Sequence, residues 1–238
     1  MPGVLEGQQV GHVDPLIPGE QHAEVKVDQR TAGRFAIASG AVTIVAAVVL
    51  VIFFLVEAPG LVESGDVDRI TVFGSTNDAL IAVALLLLIP VAIFIARSEE
   101  PGRLSRVAGL LGLAGLGMGT VFMVTTAIRV IDYGTNSFLI GVAFAMVGTW
   151  LLTLNMTAGA KAVVSRGSRW AGIFAGLGFL LIGAFGAIAG PSAMADPTSL
   201  MSYPILVALL GAGTAGLHLA TPVWAILTGR RWLAADGS

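Results

Sequence analysis

The sequence predicts an all-α polytopic membrane protein with six transmembrane helices, arranged as three helical hairpins with both termini in the cytoplasm. Hydrophobic residues make up 55% of the 238 residues and charged residues 12%, with a mean hydropathy of +0.87. A soluble fold cannot bury that much apolar surface. Six apolar runs are each long enough to cross a ~30 Å hydrocarbon core. Eleven of the 13 Lys and Arg residues fall on one side of these runs, which sets the orientation.

The order of elements follows from the position of the apolar runs. Residues 1–34 contain no such run and are predicted to form a disordered polar tail. The bundle is predicted over residues 35–232, with a short C-terminal tail at 233–238. The predicted spans are 35–56, 79–96, 107–128, 138–156, 170–189 and 205–227. The second span is expected to start after residues 75–78, which have the spacing of a capping box.

The orientation follows from the basic residues, because translocation of Lys and Arg across the membrane is disfavoured. The side opposite the tails has only Arg69 and Arg129. We therefore expect both termini to lie inside, in the cytoplasmic membrane of a bacterium, since heavy use of Ala, Val and Gly suits a GC-rich genome. The basic residues on the side of the tails are Lys26, Arg30, Arg34, Arg97, Arg103, Arg106, Lys161, Arg166, Arg169, Arg230 and Arg231.

A repeat marks the starts of the first, third and fifth spans. SRWAGIFAGLGFLLIG at 168–183 is nearly repeated as SRVAGLLGLAGLGMG at 105–119, and GRFAIASG at 33–40 is a looser copy. Stripes of small residues in the third and fifth spans predict close helix packing, or alternatively a dimer or partner contact. We expect these two spans in the middle of the bundle. The packing residues are Ala108, Gly112, Gly115, Gly119, Gly172, Gly176 and Gly183.

One ionisable residue lies deep within a span. His218 is near the middle of the sixth span, and Thr214 shares its helical face. Pro222 lies four residues further on and cannot donate a backbone hydrogen bond to the His218 carbonyl. An ionisable residue within the hydrocarbon is a candidate functional site. The alternative is a neutral histidine that hydrogen-bonds a neighbouring helix and serves packing.

A second polar group lies at the predicted outer boundary. Arg129 and Asp132 have the spacing of an ion pair on one helix. Asp78, at the start of the second span, is an alternative partner for Arg129 across helices, in which case the pair forms an outer gate.

No motif supports enzymatic chemistry. The chain has no cysteine, and its sequence contains no catalytic triad order, metalloprotease motif, nucleotide loop or paired intramembrane carboxylates. We expect no cofactor: His12 and His22 lie in the predicted tail, so two histidines cannot hold a haem within the bundle. A net charge of −2 without a basic block argues against nucleic acid as a partner.

Several short segments of the chain form a further pattern. They are Arg34-Phe-Ala, GDVDRITVFGSTNDAL before the second span, Trp150 followed by SRWAGIFAGLGFLLIG, and the closing WAILTGRR. Together they resemble a family of bacterial six-span membrane proteins that is grouped as a domain of unknown function. The resemblance covers roughly residues 30–232. It implies the six-span fold and supplies no activity or catalytic residue.

The function expected from these patterns is structural. The lipid bilayer is one partner, and a membrane protein or a second copy of the chain is the other, so we expect a non-enzymatic scaffold or accessory subunit of a membrane assembly. The alternative is a transporter of a small molecule, an ion or protons with its site at His218. A transporter needs a hydrated cavity that reaches His218, whereas a scaffold needs a packed interior.

Overall fold

The chain forms a bundle of helices in a computed structural model, which describes residues 27–65, 69–98, 103–157, 164–194 and 203–235. Within these ranges there is no β-strand. Six of the helices are long and apolar enough to cross a membrane, as the sequence predicts. The six apolar helices place the protein in a membrane.

The helices follow each other along the chain with short connections. α1 is Gln29–Val56, and the short α2, Ala58–Ser64, lies between the first two spans. The remaining spans are α3 (Val72–Ser98), α4 (Arg103–Ala127), α5 (Tyr133–Met156), α6 (Arg166–Met194) and α7 (Pro204–Ala235). α6 is broken at Gly190, whose φ of 67° suits glycine, and Pro191 follows.

The six spans form a closed ring. Each span packs on the spans that precede and follow it in sequence, and α7 also packs on α1. The seam between first and last helix is close because glycines line it: a Cβ placed on Gly33 is 3.1 Å from the Gly229 carbonyl oxygen. The Gln29 side chain also donates a hydrogen bond to the Trp232 carbonyl, at 3.0 Å.

Two helices are longer than the sequence suggests, α1 at its N-terminus and α7 at its C-terminus. α1 begins at Gln29, six residues inside the predicted tail, because the Asp28 carboxylate accepts a hydrogen bond from the Thr31 backbone N–H at 2.6 Å. The rest of that tail, residues 1–26, lies outside the described residues. α7 continues to Ala235, so part of the predicted C-terminal tail is helical, and residues 236–238 are outside the described ranges.

The structure shows that the capping box predicted at residues 75–78 is wrong, because α3 starts earlier. α3 begins at Val72, so residues 75–78 lie inside the helix. The cap comes instead from Glu57, whose carboxylate accepts hydrogen bonds from the backbone N–H groups of Val72 and Phe73, each at 2.9 Å, and of Gly74 at 3.3 Å. A carboxylate also complements the positive end of a helix dipole.

Glu57→Ala is expected to destabilise the bundle by about 1–2 kcal/mol, because it removes the acceptor for three N–H groups at once. Unfolding in mixed micelles, followed by tryptophan fluorescence, measures the loss. Glu57→Gln retains one acceptor oxygen and should lie between alanine and the wild type. Glu63→Ala, at an exposed position of α2, is the matched control, and an equal effect of both alanine variants contradicts the role of Glu57 as the cap.

The glycine stripes of α4 and α6 both face α5. A Cβ on Gly115 of α4 is 2.7 Å from the Ala143 carbonyl oxygen, and one on Gly176 of α6 is 2.9 Å from the Leu152 backbone nitrogen. The expectation that the third and fifth spans occupy the middle of the bundle was wrong, because the six spans form a ring in which no span is central. In this ring α5 packs between α4 and α6. Three other members of the stripes lie against the same helix, namely Gly112 on Trp150, Gly172 on Asn155 and Gly183 on Ala145. The atom nearest to a Cβ on Gly119 belongs instead to Leu85 of α3, at 3.1 Å, and Ala108 is buried.

Candidate functional site

α7 has a wide turn at the position that carries the deep histidine. The helix is α-helical over Pro204–Ala215, π-helical over Gly216–Ala220, and α-helical again from Thr221. Both the backbone N–H and the hydroxyl of Thr221 donate to the Gly216 carbonyl. Pro222 follows and has no N–H to donate, which removes one backbone hydrogen bond of the regular helix. π-helical turns within α-helices are frequent at functional sites.

His218 lies in this turn and makes two polar contacts. Its Nδ1 is 3.1 Å from the carbonyl oxygen of Thr214, one turn earlier on the same helix. The Thr214 backbone, and not its hydroxyl, is therefore the partner within α7. Its Nε2 is 3.4 Å from Oδ1 of Asn77 on α3. The His218 side chain is 8% exposed and the Asn77 side chain 7%, so both are almost fully buried.

Sequence reasoning missed Asn77 as the partner of His218. It belongs to the polar residues 75–78, which looked like a helix start and lie within α3. The signal that identifies it is a buried amide inside an apolar helix. Another buried amide, Asn136 of α5, has all its partners on α4, since its Nδ2 donates to the Phe122 carbonyl and its Oδ1 accepts from Thr125. The Asn136 side chain thus hydrogen-bonds to the neighbouring helix α4, whereas the Asn77 side chain contacts the imidazole of His218 on α7.

The predicted charged group divides into two parts. Arg129 and Asp78 lie close enough to attract each other, and the Arg129 guanidinium lies over the ring of Tyr133, 5.0 Å from its centre. The arginine backbone is in the left-handed region, with φ 52°. Its Nε and Nη1 are buried and have no hydrogen-bond partner among the described residues.

Asp132 is the N-cap of α5. Its carboxylate caps α5 by accepting a hydrogen bond from the Thr135 backbone N–H at 2.8 Å. This hydrogen bond holds the pKa of the fully exposed Asp132 below its ordinary value. The cap is therefore present at neutral pH and is lost only as the pH falls through the lowered pKa. Of the three charged residues, Arg129 attracts Asp78 electrostatically and Asp132 serves as a helix cap.

A small cavity lies elsewhere in the described part of the chain. Within the described ranges, no three His, Asp or Glu side chains come together as metal ligands would. A cavity between α3, α4 and α5 has a volume of about 20 Å³, enough for a single water molecule. It is lined in part by Ala108, Trp150 and Thr153, far along α5 from the end that carries Asp132.

The fold and the site define a polytopic membrane protein with a polar contact between His218 and Asn77 inside its ring of helices. Comparison of the chain with protein-family models, with characterised proteins and with solved structures gives no match. The resemblance to six-span bacterial proteins therefore stays a prediction.

Proposed function

We propose that the protein is a non-enzymatic scaffold or accessory subunit of an assembly in a bacterial cytoplasmic membrane. In this proposal the six spans form three helical hairpins and both termini are cytoplasmic, in accord with the bias of Lys and Arg toward one side. A membrane-protein partner, or a second copy of the chain, binds the outer face of the ring.

The observation that carries the proposal is the filled centre of the ring. Trp224 of α7 is fully buried and packs edge to face on Trp150 of α5, with ring centres 6.0 Å apart. α5 and α7 are not neighbours in the ring, because α6 packs between them. Phe144 of α5 and Phe179 of the adjacent α6 also pack edge to face, with ring centres 5.0 Å apart. The contact between Trp150 and Trp224 supports the packed interior that a scaffold needs.

The outer face supports the proposal as well. Large apolar side chains are exposed on every side of the ring, among them Val48 on α1, Leu110 on α4, Phe174 on α6 and Leu219 on α7. Lipid covers such a face by default. A scaffold must replace lipid by protein over part of it.

A photo-reactive amino acid placed at each of these four positions tests the proposal in native membranes. We expect crosslinks to one protein of defined mass from one or two neighbouring faces, and lipid adducts from the others. Purification in mild detergent should recover the same complex. Leu88, which is buried, is the control position and should crosslink within the chain only.

Two outcomes contradict the proposal: lipid adducts alone at all four positions, and recovery of a lone monomer with a water-filled centre. Orientation is measured separately with single cysteines, since the chain contains none. A membrane-impermeant maleimide should label Glu63→Cys in intact cells, and should label Arg230→Cys only after permeabilisation.

The alternative function is transport of a small molecule or ion at His218. One observation supports it, namely the contact between the imidazole and Asn77 of another helix, because it brings an ionisable side chain and a buried amide together within the spans. Uptake into proteoliposomes should then depend on His218, and uptake that is unchanged by His218→Ala removes this residue from the mechanism.

A further inference from the structure

The seam that joins the first and last helices covers only part of their length. Gly33 and Gly40 of α1 lie against the second half of α7. The buried residues of α1 end at Ala46, and none of residues 47–56 is buried. The last part of α1 is therefore not covered by α7.

The N-terminal segment of α7, Pro204–Ala215, has one principal neighbour. It packs on α6 and makes no comparable contact with α1, whereas Thr221–Ala235 packs on both helices. Only Leu206 and Gly213 of its 12 residues are buried. Leu206 belongs to a small cluster with Phe185 of α6, separate from the main core. Few buried apolar contacts are the mark of a segment that moves at low cost in free energy.

The π-helical turn, Gly216–Ala220, connects this segment to the rest of α7. Regular α-helical hydrogen bonding is interrupted at the turn, and Pro222 beyond it has no N–H to donate. The turn itself is held in place, because Gly216 lies against the backbone of Gly178 on α6. Helices bend at prolines and at π-helical turns. A fixed turn with a loosely packed segment on one side has the geometry of a hinge.

The surfaces on the two sides of the open part of the seam are apolar. Residues 35–56 of α1 and 204–217 of α7 contain no charged side chain. Leu55 of α1 is 75% exposed and Ile205 of the N-terminal segment 73%. An added Cβ on Gly211 of the segment has nothing within 4 Å, so a second helix has room to approach. The segment can pack on α1 without desolvating a charge.

We propose that the N-terminal segment of α7 is a strap that pivots at the π-helical turn. In one position it packs on α6, as in the structure, and in the other it packs on residues 47–56 of α1 and extends the seam. Apolar contacts replace apolar contacts in this movement, so the two positions are close in free energy. His218 lies in the turn and contacts Asn77, so the position of the strap sets how far this polar pair is covered. The scaffold function proposed above does not require the movement.

The test is a set of distances between spin labels, measured by pulsed electron paramagnetic resonance on the full chain in nanodiscs. The chain has no cysteine, so each label is placed on an introduced one. The first pair, Leu55→Cys with Ile205→Cys, spans the open part of the seam. The matched pair, Ala41→Cys with Leu227→Cys, spans the same helices where they pack on each other. All four positions are exposed.

We expect two distances for the first pair and one narrow distance for the matched pair. At 1.5 Å per residue, Ile205 lies about 20 Å from the turn, and a bend of about 20–30° moves it by about 7–10 Å. The two distances should differ by about that amount. A single distance for the first pair, as narrow as that of the matched pair, overturns the proposal, because the segment then has one position. Equally broad distributions in both pairs also overturn it, since no pivot is then located at the turn.

Pro222→Ala tests the pivot directly, because it supplies the N–H that the regular helix lacks. We expect the first pair to show mainly one distance in this variant and the matched pair to be unchanged. Two distances that persist as in the parent chain overturn the role of the turn as the pivot. Tryptophan fluorescence establishes whether each variant is folded, and if Pro222→Ala is not, the comparison of the two pairs decides. Neither measurement involves a partner protein, so failure here is separate from failure of the scaffold function.

Discussion

Gly216→Ala is expected to destabilise the folded bundle by about 1–3 kcal/mol, the usual cost of an extra methyl group in a packed interior. A Cβ at this position meets the backbone of α6, with the Gly178 nitrogen at 3.0 Å and the Phe174 carbonyl oxygen at 3.1 Å. Backbone atoms cannot rotate out of the way as a side chain does, so α6 and α7 must move apart. Loss of tryptophan-fluorescence signal against the mole fraction of denaturing detergent measures the effect.

Gly211→Ala, on the same helix, is the matched control. A Cβ there has nothing within 4 Å, and alanine favours a helix over glycine by up to about 1 kcal/mol. We therefore expect equal or slightly greater stability than in the wild type. If Gly211→Ala and Gly216→Ala lower stability to the same extent, the close approach of α6 and α7 is not what holds them together.

Trp224→Ala is expected to cost about 3–5 kcal/mol, the range for loss of a large aromatic side chain from a core. Trp224 is 0% exposed and contacts Trp150 across the ring. In a membrane the alternative solvent is lipid, so the loss comes from the packing contacts rather than from water. The same unfolding measurement reports it.

Trp170 provides the comparison, because it is 58% exposed on the outside of α6. Trp170→Ala should change stability by less than about 1 kcal/mol. The indole N–H of Trp224 is buried and has no hydrogen-bond partner within the part of the chain that the structure describes. Trp224→Phe, which removes that donor and keeps a ring, should therefore recover much of the loss. Equal effects of Trp224→Ala and Trp170→Ala would show that the centre of the ring is not packed.

The number of spans could be predicted because apolar length is a local property of the sequence. The start of α3 could not, because its cap is Glu57, fifteen residues before the first N–H that it accepts from. Ser75 and Asp78 have the local spacing of a cap, but the distant carboxylate takes that role. Local spacing therefore identified a helix start in the wrong place.

The candidate site was predictable in part for a related reason. His218 is conspicuous in sequence because an ionisable residue deep in a span is rare. Its partner Asn77 is 141 residues away, and only the order of helices around the ring brings the two together. The π-helical turn likewise depends on how α7 meets its neighbours, although Pro222 marks the region where regular hydrogen bonding fails.

The seam between α1 and α7 has a consequence for biosynthesis. Among the described helices, the first needs the last as one of its two neighbours, and a polypeptide enters the membrane from its N-terminus onward. During translation, the surface of α1 that contains Gly33 and Gly40 is in contact with lipid, or with an insertion factor, until α7 has been synthesised. A nascent chain that stops before α7 leaves the ring open and this glycine surface of α1 uncovered by protein.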